Sequence, residues 1–364
     1  MLNMSDLLLM MVQKRSSDLH LTTGSPPILR IDGHIAPMPF EKLTPDLCQR
    51  LIYSLLTDQQ RQTFEAKNEL DLSFGIKGVG RVRMNVFRQR GTVAAALRSI
   101  PSTFMTFEEL GLPEVVYETI KAPRGLVLVT GPTGAGKSTT LASMIDYLNE
   151  NRDGHIITVE DPIEYLHQHK KCIVNQREIG QDTAAFNSAL KYVLRQDPDI
   201  ILIGEMRDLE TIQAAITIAE TGHLVFATLH TNDAPTTINR IIDVFPSNQQ
   251  SQVRNQLSFV IQAVISQMLI THVSGTGRVL ITEILIATHG IKNLIRENKI
   301  EQIPMLIQTG GKFGMHTMNQ NLVDQVVRKR ISQKTALECS LDPEELKKLI
   351  AQRMSNAYDA PKNT

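Results

Sequence analysis

Eight consecutive residues constrain this chain more than any others: Gly131-Pro132-Thr133-Gly134-Ala135-Gly136-Lys137-Ser138. They fill the GxxxxGK(S/T) pattern in its proper context. The aliphatic run Leu126 to Thr130 precedes them as a buried strand, and a helix is expected from about Lys137 to Asn149. Glycines let backbone N–H groups curl around phosphate oxygens, and the helix N-terminus adds favourable positive potential. In this pattern Lys137 reaches the β- and γ-phosphates and Ser138 offers an oxygen to Mg²⁺, with Thr139 next in the helix's first turn. The implied ligands are ATP and Mg²⁺.

The surroundings suit such a loop. Aliphatic runs at Ile156 to Val159, Ile200 to Ile203 and Leu224 to Leu229 alternate with helical stretches such as Thr183 to Arg195 and Leu209 to Glu220. Buried strands alternating with helices predict an α/β fold with a largely parallel sheet covered on both faces. At 364 residues the chain is long enough for two domains. The first is expected over 1–115 as a small α+β domain, followed by a linker at 116–124. The second, 125–356, carries the phosphate loop and ends in helices at 290–298, 317–330, 332–338 and 342–355, with a strand at 279–286. A polar tail is expected at 357–364.

Composition removes several classes. Lys plus Arg equals Asp plus Glu at 38 each, so no global attraction draws the chain to nucleic acid or anionic lipid. Cys48, Cys172 and Cys339 are too scattered for a disulfide framework or a CxxC zinc site, and a reducing cytosol is the natural setting. Leu7 to Val12 is too short for a signal peptide. Residues 255–277 contain no Asp, Glu, Lys or Arg and could span a membrane by length. Ser258, Gln262 and Ser266 recur every four residues there, so the stretch reads as part of a soluble helix over 248–270, with a polar side facing water or another subunit.

Three polar elements stand at strand exits beyond the loop. Asp199 to Glu205 is an aliphatic strand with an acid at each end. Glu205 is the expected partner of Mg²⁺ or the attacking water, directly or through metal-bound water, and Asp199 holds local backbone. Glu160-Asp161-Pro162-Ile163-Glu164 follows another strand. A water attacking the γ-phosphate needs a carboxylate acceptor, and Glu164 is preferred as general base, with Glu205 the alternative. His230 ends the third strand, where a γ-phosphate sensor can sit; His223 reads as a local hydrogen-bonding residue.

The N-terminal domain adds a basic patch. Lys77, Arg81, Arg83, Arg88, Arg90 and Arg98 lie between Leu72 and Phe107 with no acid among them, which calls for an anionic counterpart. Arg83 and Arg98 fall on adjacent predicted strands that a hairpin can join. Arginine delivered from another domain or subunit accelerates phosphoryl transfer by roughly 10³ to 10⁵. A nucleic-acid motor or a nucleotide-switched scaffold are competing readings. The first lacks an accompanying platform of stacking aromatics, and multiple-turnover hydrolysis would reject the second.

Taken together these residues resemble the secretion ATPase family, and within it the retraction ATPases of type IV pili. The resemblance covers nearly the whole chain: SSDLHL at 16–21, GPTGAGKSTT at 131–140, VEDPIEY at 159–165, DPDIILIGEMRD at 197–208 and GHLVFATLHTNDA at 222–234. GIKNLIRE at 290–297 stands where that branch carries a motif close to AIRNLIRE. The resemblance implies a PAS-like N-terminal domain, a RecA-like motor with a helical C-terminal portion, and a homo-hexameric ring. It gives Lys137 and Ser138 the Walker A roles, Glu164 the catalytic glutamate of the Asp box, and Glu205 that of Walker B. His230 takes the nucleotide-sensing role, and Arg83 and Arg98 are the paired arginines of the N-terminal domain. The implied work is pilus retraction at the cytoplasmic face of the inner membrane, on a platform protein (PilC-like), alone or beside an accessory PilU-like paralogue. Members for extension and type II secretion commonly carry a CxxC…CxxC zinc element, which three isolated cysteines disfavour.

Overall fold

The computed structural model of the chain describes residues 2–14, 16–31, 33–76 and 80–358, with side chains to 353. It divides into two compact units: Met1–Thr103 with Glu164–Leu166, and Phe104–Ile163 with His167–Thr364.

The first unit is an α+β body around a six-stranded sheet ordered β3-β2-β1-β6-β5-β4. Its strands are β1 (Asp18–Leu21), β2 (Ile28–Ile31), β3 (His34–Pro37), β4 (Glu69–Ile76), β5 (Gly80–Gln89) and β6 (Thr92–Ile100), all paired antiparallel. Alternation sets the faces: Val82, Met84 and Val86 of β5 are buried between more exposed neighbours. The helices α1 (Met4–Gln13), α2 (Pro45–Tyr53) and α3 (Asp58–Lys67) supply Leu7, Leu8, Met11, Leu51, Ile52 and Phe64 to the same core. Each begins on a capping side chain (Asn3, Thr44 and Thr57), so the starts are written locally. Strands β2 and β3 pair from Ile31 with His34 onward; Asp32 and Lys77 lie outside the described residues.

The second unit is built on a seven-stranded sheet ordered β13-β12-β7-β11-β10-β8-β9. The strands are β7 (Gly125–Thr130), β8 (Gly154–Glu160), β9 (Cys172–Glu178), β10 (Ile200–Ile203), β11 (Leu224–Leu229), β12 (Ile261–Thr271) and β13 (Arg278–Ile286). All pair in parallel except β12 with β13. Central strands β7 and β11 are buried at every residue, the expected consequence of helices on both faces. Helices α4 (Phe107–Leu110), α5 (Val115–Ile120) and α6 (Lys137–Asn151) share one core with Val127, Val129, Ile156 and Phe226. Helices α7 (Phe186–Val193), α8 (Leu209–Glu220), α9 (Ala234–Asp243), α10 (Ser247–Val260), α11 (His289–Arg296) and α12 (Ile303–Thr309) share the other with Leu126, Leu128, Ile201 and Val225. A helical layer of α13 (Met318–Val327), α14 (Gln333–Cys339) and α15 (Pro343–Tyr358) packs on Val279 and Ile281 of β13.

Two expectations change here. The helix expected over 248–270 ends at Val260, and the chain continues as β12 between β7 and β13. The uncharged run reflects a central strand buried on both faces, and Ile261, Val264, Ile265 and Ile270 are β-branched residues that favour it. Ser266 and Gln267 are buried rather than turned to water. The boundary expected at 115 also moves. The unit break falls after Thr103, and the segment expected as a linker holds α5, whose Val116 and Ile120 are buried in the second unit's core. The edge strand β9 was not anticipated. Its alternation is short and mostly polar, and β8 supplies the pairing that makes it a strand. From residue 359 the expected tail lies outside the described residues. Among the described residues no helix is long and apolar enough to cross a membrane.

Candidate active site

Strand β7 delivers the glycine-rich loop from the middle of the sheet. Gly131 leaves the strand at φ 142°, and a Cβ there would lie 2.2 Å from the Gln267 carbonyl oxygen of β12. Only glycine fits. Gly134 and Gly136 also take left-handed angles, 81° and 87°, and Gly136 is the residue from which α6 starts. Side chains of Asp208, Asp233, Thr288, Thr317 and Ser332 cap the helices that follow them, but no side chain caps α6. Its leading N–H groups, together with the loop's, are a fit for phosphate oxygens. Lys137 Nζ folds back over the loop, donating to the carbonyls of Gly131 (2.7 Å) and Pro132 (3.1 Å). Ser138 and Thr139 follow, half-buried in the first turn.

Gln267 holds this loop from behind. It is buried, and its Nε2 donates to the Ala135 carbonyl at 2.7 Å. Sequence reasoning missed it because the stretch reads as a helix, where Gln267 would be one polar residue among several. A strand assignment would have placed it beside the loop.

Glu205 and His230 come together, and with Lys137. Parallel strands β10 and β11 end side by side, so the residues just past their ends are neighbours. His230 Nε2 lies 3.1 Å from Glu205 Oε1, and its Nδ1 lies 3.5 Å from Lys137 Nζ. The other oxygen, Glu205 Oε2, accepts from Arg207 Nη2 at 2.7 Å. Burial pushes the Glu205 carboxyl up, but Arg207 and His230 outweigh it and hold it below the usual carboxylate range. Arg207 is a second residue the sequence reading passed over; the signal available was its place two residues beyond Glu205 on an exposed strand exit.

The other polar residues of the strands have local work. Asp199 Oδ2 accepts from the His155 N–H at 2.8 Å, the backbone role expected of it. His223 Nδ1 sits 3.0 Å from the Ile218 carbonyl and 3.1 Å from Thr221 Oγ1. In the acidic loop, Glu160 accepts from Thr158 Oγ1 (2.6 Å) and Gln176 Nε2 (3.3 Å). Buried Glu178 accepts from the Ile163 N–H at 3.3 Å, which fixes the residue before Glu164.

Glu164 itself is exposed and belongs to the first unit, where the Leu166 N–H donates to the Pro101 carbonyl at 3.1 Å. Arg83 and Arg98 are also in that unit, directly opposite one another in the β5–β6 register. Like charges so placed repel, and acids from outside the basic run offset them. Arg98 Nε pairs with Asp18 at 2.7 Å, Arg83 with Asp71 at 3.8 Å, and Arg88 with Glu65. Part of the patch therefore has the anionic counterpart its sequence calls for, supplied by acids elsewhere in the same unit. Burial raises the Asp18 carboxyl, but the hydrogen bonds from Arg98 and Ser17 dominate and lower it, so Arg98 is tethered to a buried anion.

Comparison with known proteins places this geometry. Residues 3–338 match the family model of type II/IV secretion system proteins. The chain is 50% identical to the type IV pilus retraction ATPase PilT of Pseudomonas aeruginosa, over 94% of this chain and 99% of that protein. It is 41% identical to the type IV pilus ATPase PilU of the same organism, over 94% of this chain and 90% of that one. The crystal structure of the pilus retraction motor PilT with bound ADP superposes with a TM-score of 0.90 at 52% identity, covering 96% of this chain and all of that one.

Proposed function

We propose, from the chain's membership of the type II/IV secretion system protein family, to which it belongs, that it is an ATP-hydrolysing motor powering type IV pilus retraction. The observation that carries this is the convergence of Lys137, His230 and Glu205 at the phosphate loop in a chain half identical over 94% of its length to a retraction ATPase. The loop N–H groups and Lys137 bind the β- and γ-phosphates, and breaking the Lys137 contacts to Gly131 and Pro132 frees its ammonium for them. Magnesium bound with the nucleotide would neutralise phosphate charge; Ser138 Oγ and Glu205, directly or through water, are the oxygen donors offered for it.

Two carboxylates compete for the role of general base. Glu205 is engaged by Arg207 and His230 and held below the usual range, which makes it a weak proton acceptor. That supports Glu164 as the base, leaving Glu205 to the magnesium and His230 to read the γ-phosphate. Arg83 and Arg98 supply charge from a neighbouring subunit of a hexameric ring, where the rigid guanidinium fork suits phosphoryl oxygens. The ring works in the cytoplasm against an inner-membrane platform protein. The test uses cells lacking both the retraction ATPase and its accessory paralogue. Retraction restored by the wild-type chain alone and not by Glu164→Ala supports the reading. No retraction with the wild-type chain, or full retraction with the variant, counts against it.

A further inference from the structure

A row of buried polar side chains crosses the second sheet at the level of the phosphate loop. Thr130, the last residue of β7, lies in register with Ser266 of β12, and Ser266 in register with Glu283 of β13. Thr130 Oγ1 donates to Ser266 Oγ at 2.9 Å. Glu283, only 8% exposed, turns its carboxyl to two helix starts. Its Oε1 accepts from the Ala234 N–H at 2.9 Å, and the Met318 N–H also favours the charged carboxyl.

Ala234 and Met318 are the first residues of α9 and α13. Each helix already has a cap: Asp233 accepts from Thr236, and Thr317 from Gln320. Those caps leave the first N–H of each helix open. Glu283 takes the one at Ala234 and is favoured as an anion by the one at Met318, at helix ends whose dipoles favour negative charge. The adjoining residues of β13 reinforce the join. Thr282 Oγ1 meets His316 Nε2 at 2.9 Å, the Thr282 N–H donates to Asn321 Oδ1 at 3.3 Å, and Ile284 and His316 exchange backbone hydrogen bonds.

Helix α9 starts four residues after His230, so whatever fixes Ala234 fixes the segment that carries His230. A buried carboxyl is a costly way to satisfy a helix-start N–H group. Among the described residues no ion pair joins Glu283 to a cation. Burial raises the carboxyl to about 7, with the Ala234 and Met318 N–H groups pulling down and Asp233 pushing up. We propose that Glu283 is a positioning residue for hydrolysis, holding the His230–Asp233 segment in place beside the phosphate loop while tying it to α13.

This rests on the proposed ATPase reading, and the experiment separates the two. The full chain is compared as wild type, Glu283→Gln, Glu283→Met, His230→Ala and the His230→Ala/Glu283→Met double variant. Steady-state MgATP hydrolysis, nucleotide affinity and amide exchange are measured on each. The Met variant keeps volume and no acceptor, and kcat is expected to fall about tenfold or more with KM changed by less than about twofold. The Gln variant keeps one acceptor and falls between. The double variant is expected to be no slower than His230→Ala, because both changes disable one device. Wild-type kcat in Glu283→Met, or losses that multiply in the double variant, would overturn the proposal. Should the Met variant not fold, the Gln variant replaces it in the same cycle. A wild-type chain without turnover speaks against the ATPase reading; amide protection across 231–236, expected to drop in Glu283→Gln, then decides the positioning role, and unchanged protection overturns it.

Discussion

At the scale of single residues, the loop works because positions that look interchangeable are not. Gly131 combines a φ of 142° with a backbone oxygen 2.2 Å from where a Cβ would be. Gly131→Ala must therefore move β12 or the loop, and unfolding measurements should show a loss of about 3 kcal/mol or more together with lost nucleotide binding. Glu283 makes a prediction of the opposite kind, about pH. Its carboxyl sits at about 7 in the folded chain against an ordinary 4.5, because burial, aided by Asp233, outweighs the two N–H groups. The unfolded chain then gives up that proton first as pH rises, so stability is lost between about pH 4.5 and 7 and levels off above. The full component is on the order of 3 kcal/mol. Denaturant titrations across that range should show the decline in the wild type, and Glu283→Gln should lack this component.

At the scale of elements, β12 is the piece that makes the site rigid. It carries Gln267 behind the loop, Ser266 beside Thr130, and the oxygen that excludes a side chain at Gly131. Amides of 263–266 lie between β7 and β13 and should be among the slowest in the chain to exchange. Gln267→Leu removes the donor to Ala135 while keeping bulk, and should weaken nucleotide binding about tenfold with the fold retained. A variant binding as tightly as wild type would show that the loop holds its shape without β12. The helix starts tell a simpler story. Asp208, Thr288, Thr317 and Ser332 each cap a helix that the sequence placed, α8, α11, α13 and α14, whereas α9, capped by Asp233, was not anticipated.

At the scale of the whole molecule, the proposed cycle needs residues from both units. Lys137, Glu205 and His230 belong to one, and Glu164, Arg83 and Arg98 to the other. If the arginines act in trans, Arg83→Ala and Lys137→Ala chains, each inactive alone, should regain hydrolysis when mixed in one assembly, since each seam of the right composition has an intact set. Absence of recovery in assemblies shown to be mixed would place the arginines in cis or outside the reaction. The tether between Arg98 and buried Asp18 bears on the same step, because an arginine that reaches a phosphate must share or leave that anion.

What the sequence determined is whatever depends on neighbours along the chain: the phosphate loop, the aliphatic strands around it, the helix caps, and the acids and histidine at strand exits. These follow from local geometry, in which spacing in sequence is spacing in space. What only the tertiary structure decided are the partners that arrive from far away. Gln267 meets a loop 132 residues earlier, and Glu283 meets a helix start 49 residues earlier. Asp18 meets an arginine 80 residues later, and so quiets a patch that looks uncompensated. The reading of 261–270 as helix failed for the same reason: an uncharged β-branched run suits a buried helix or a buried strand, and its pairing between β7 and β13 is what settles the choice.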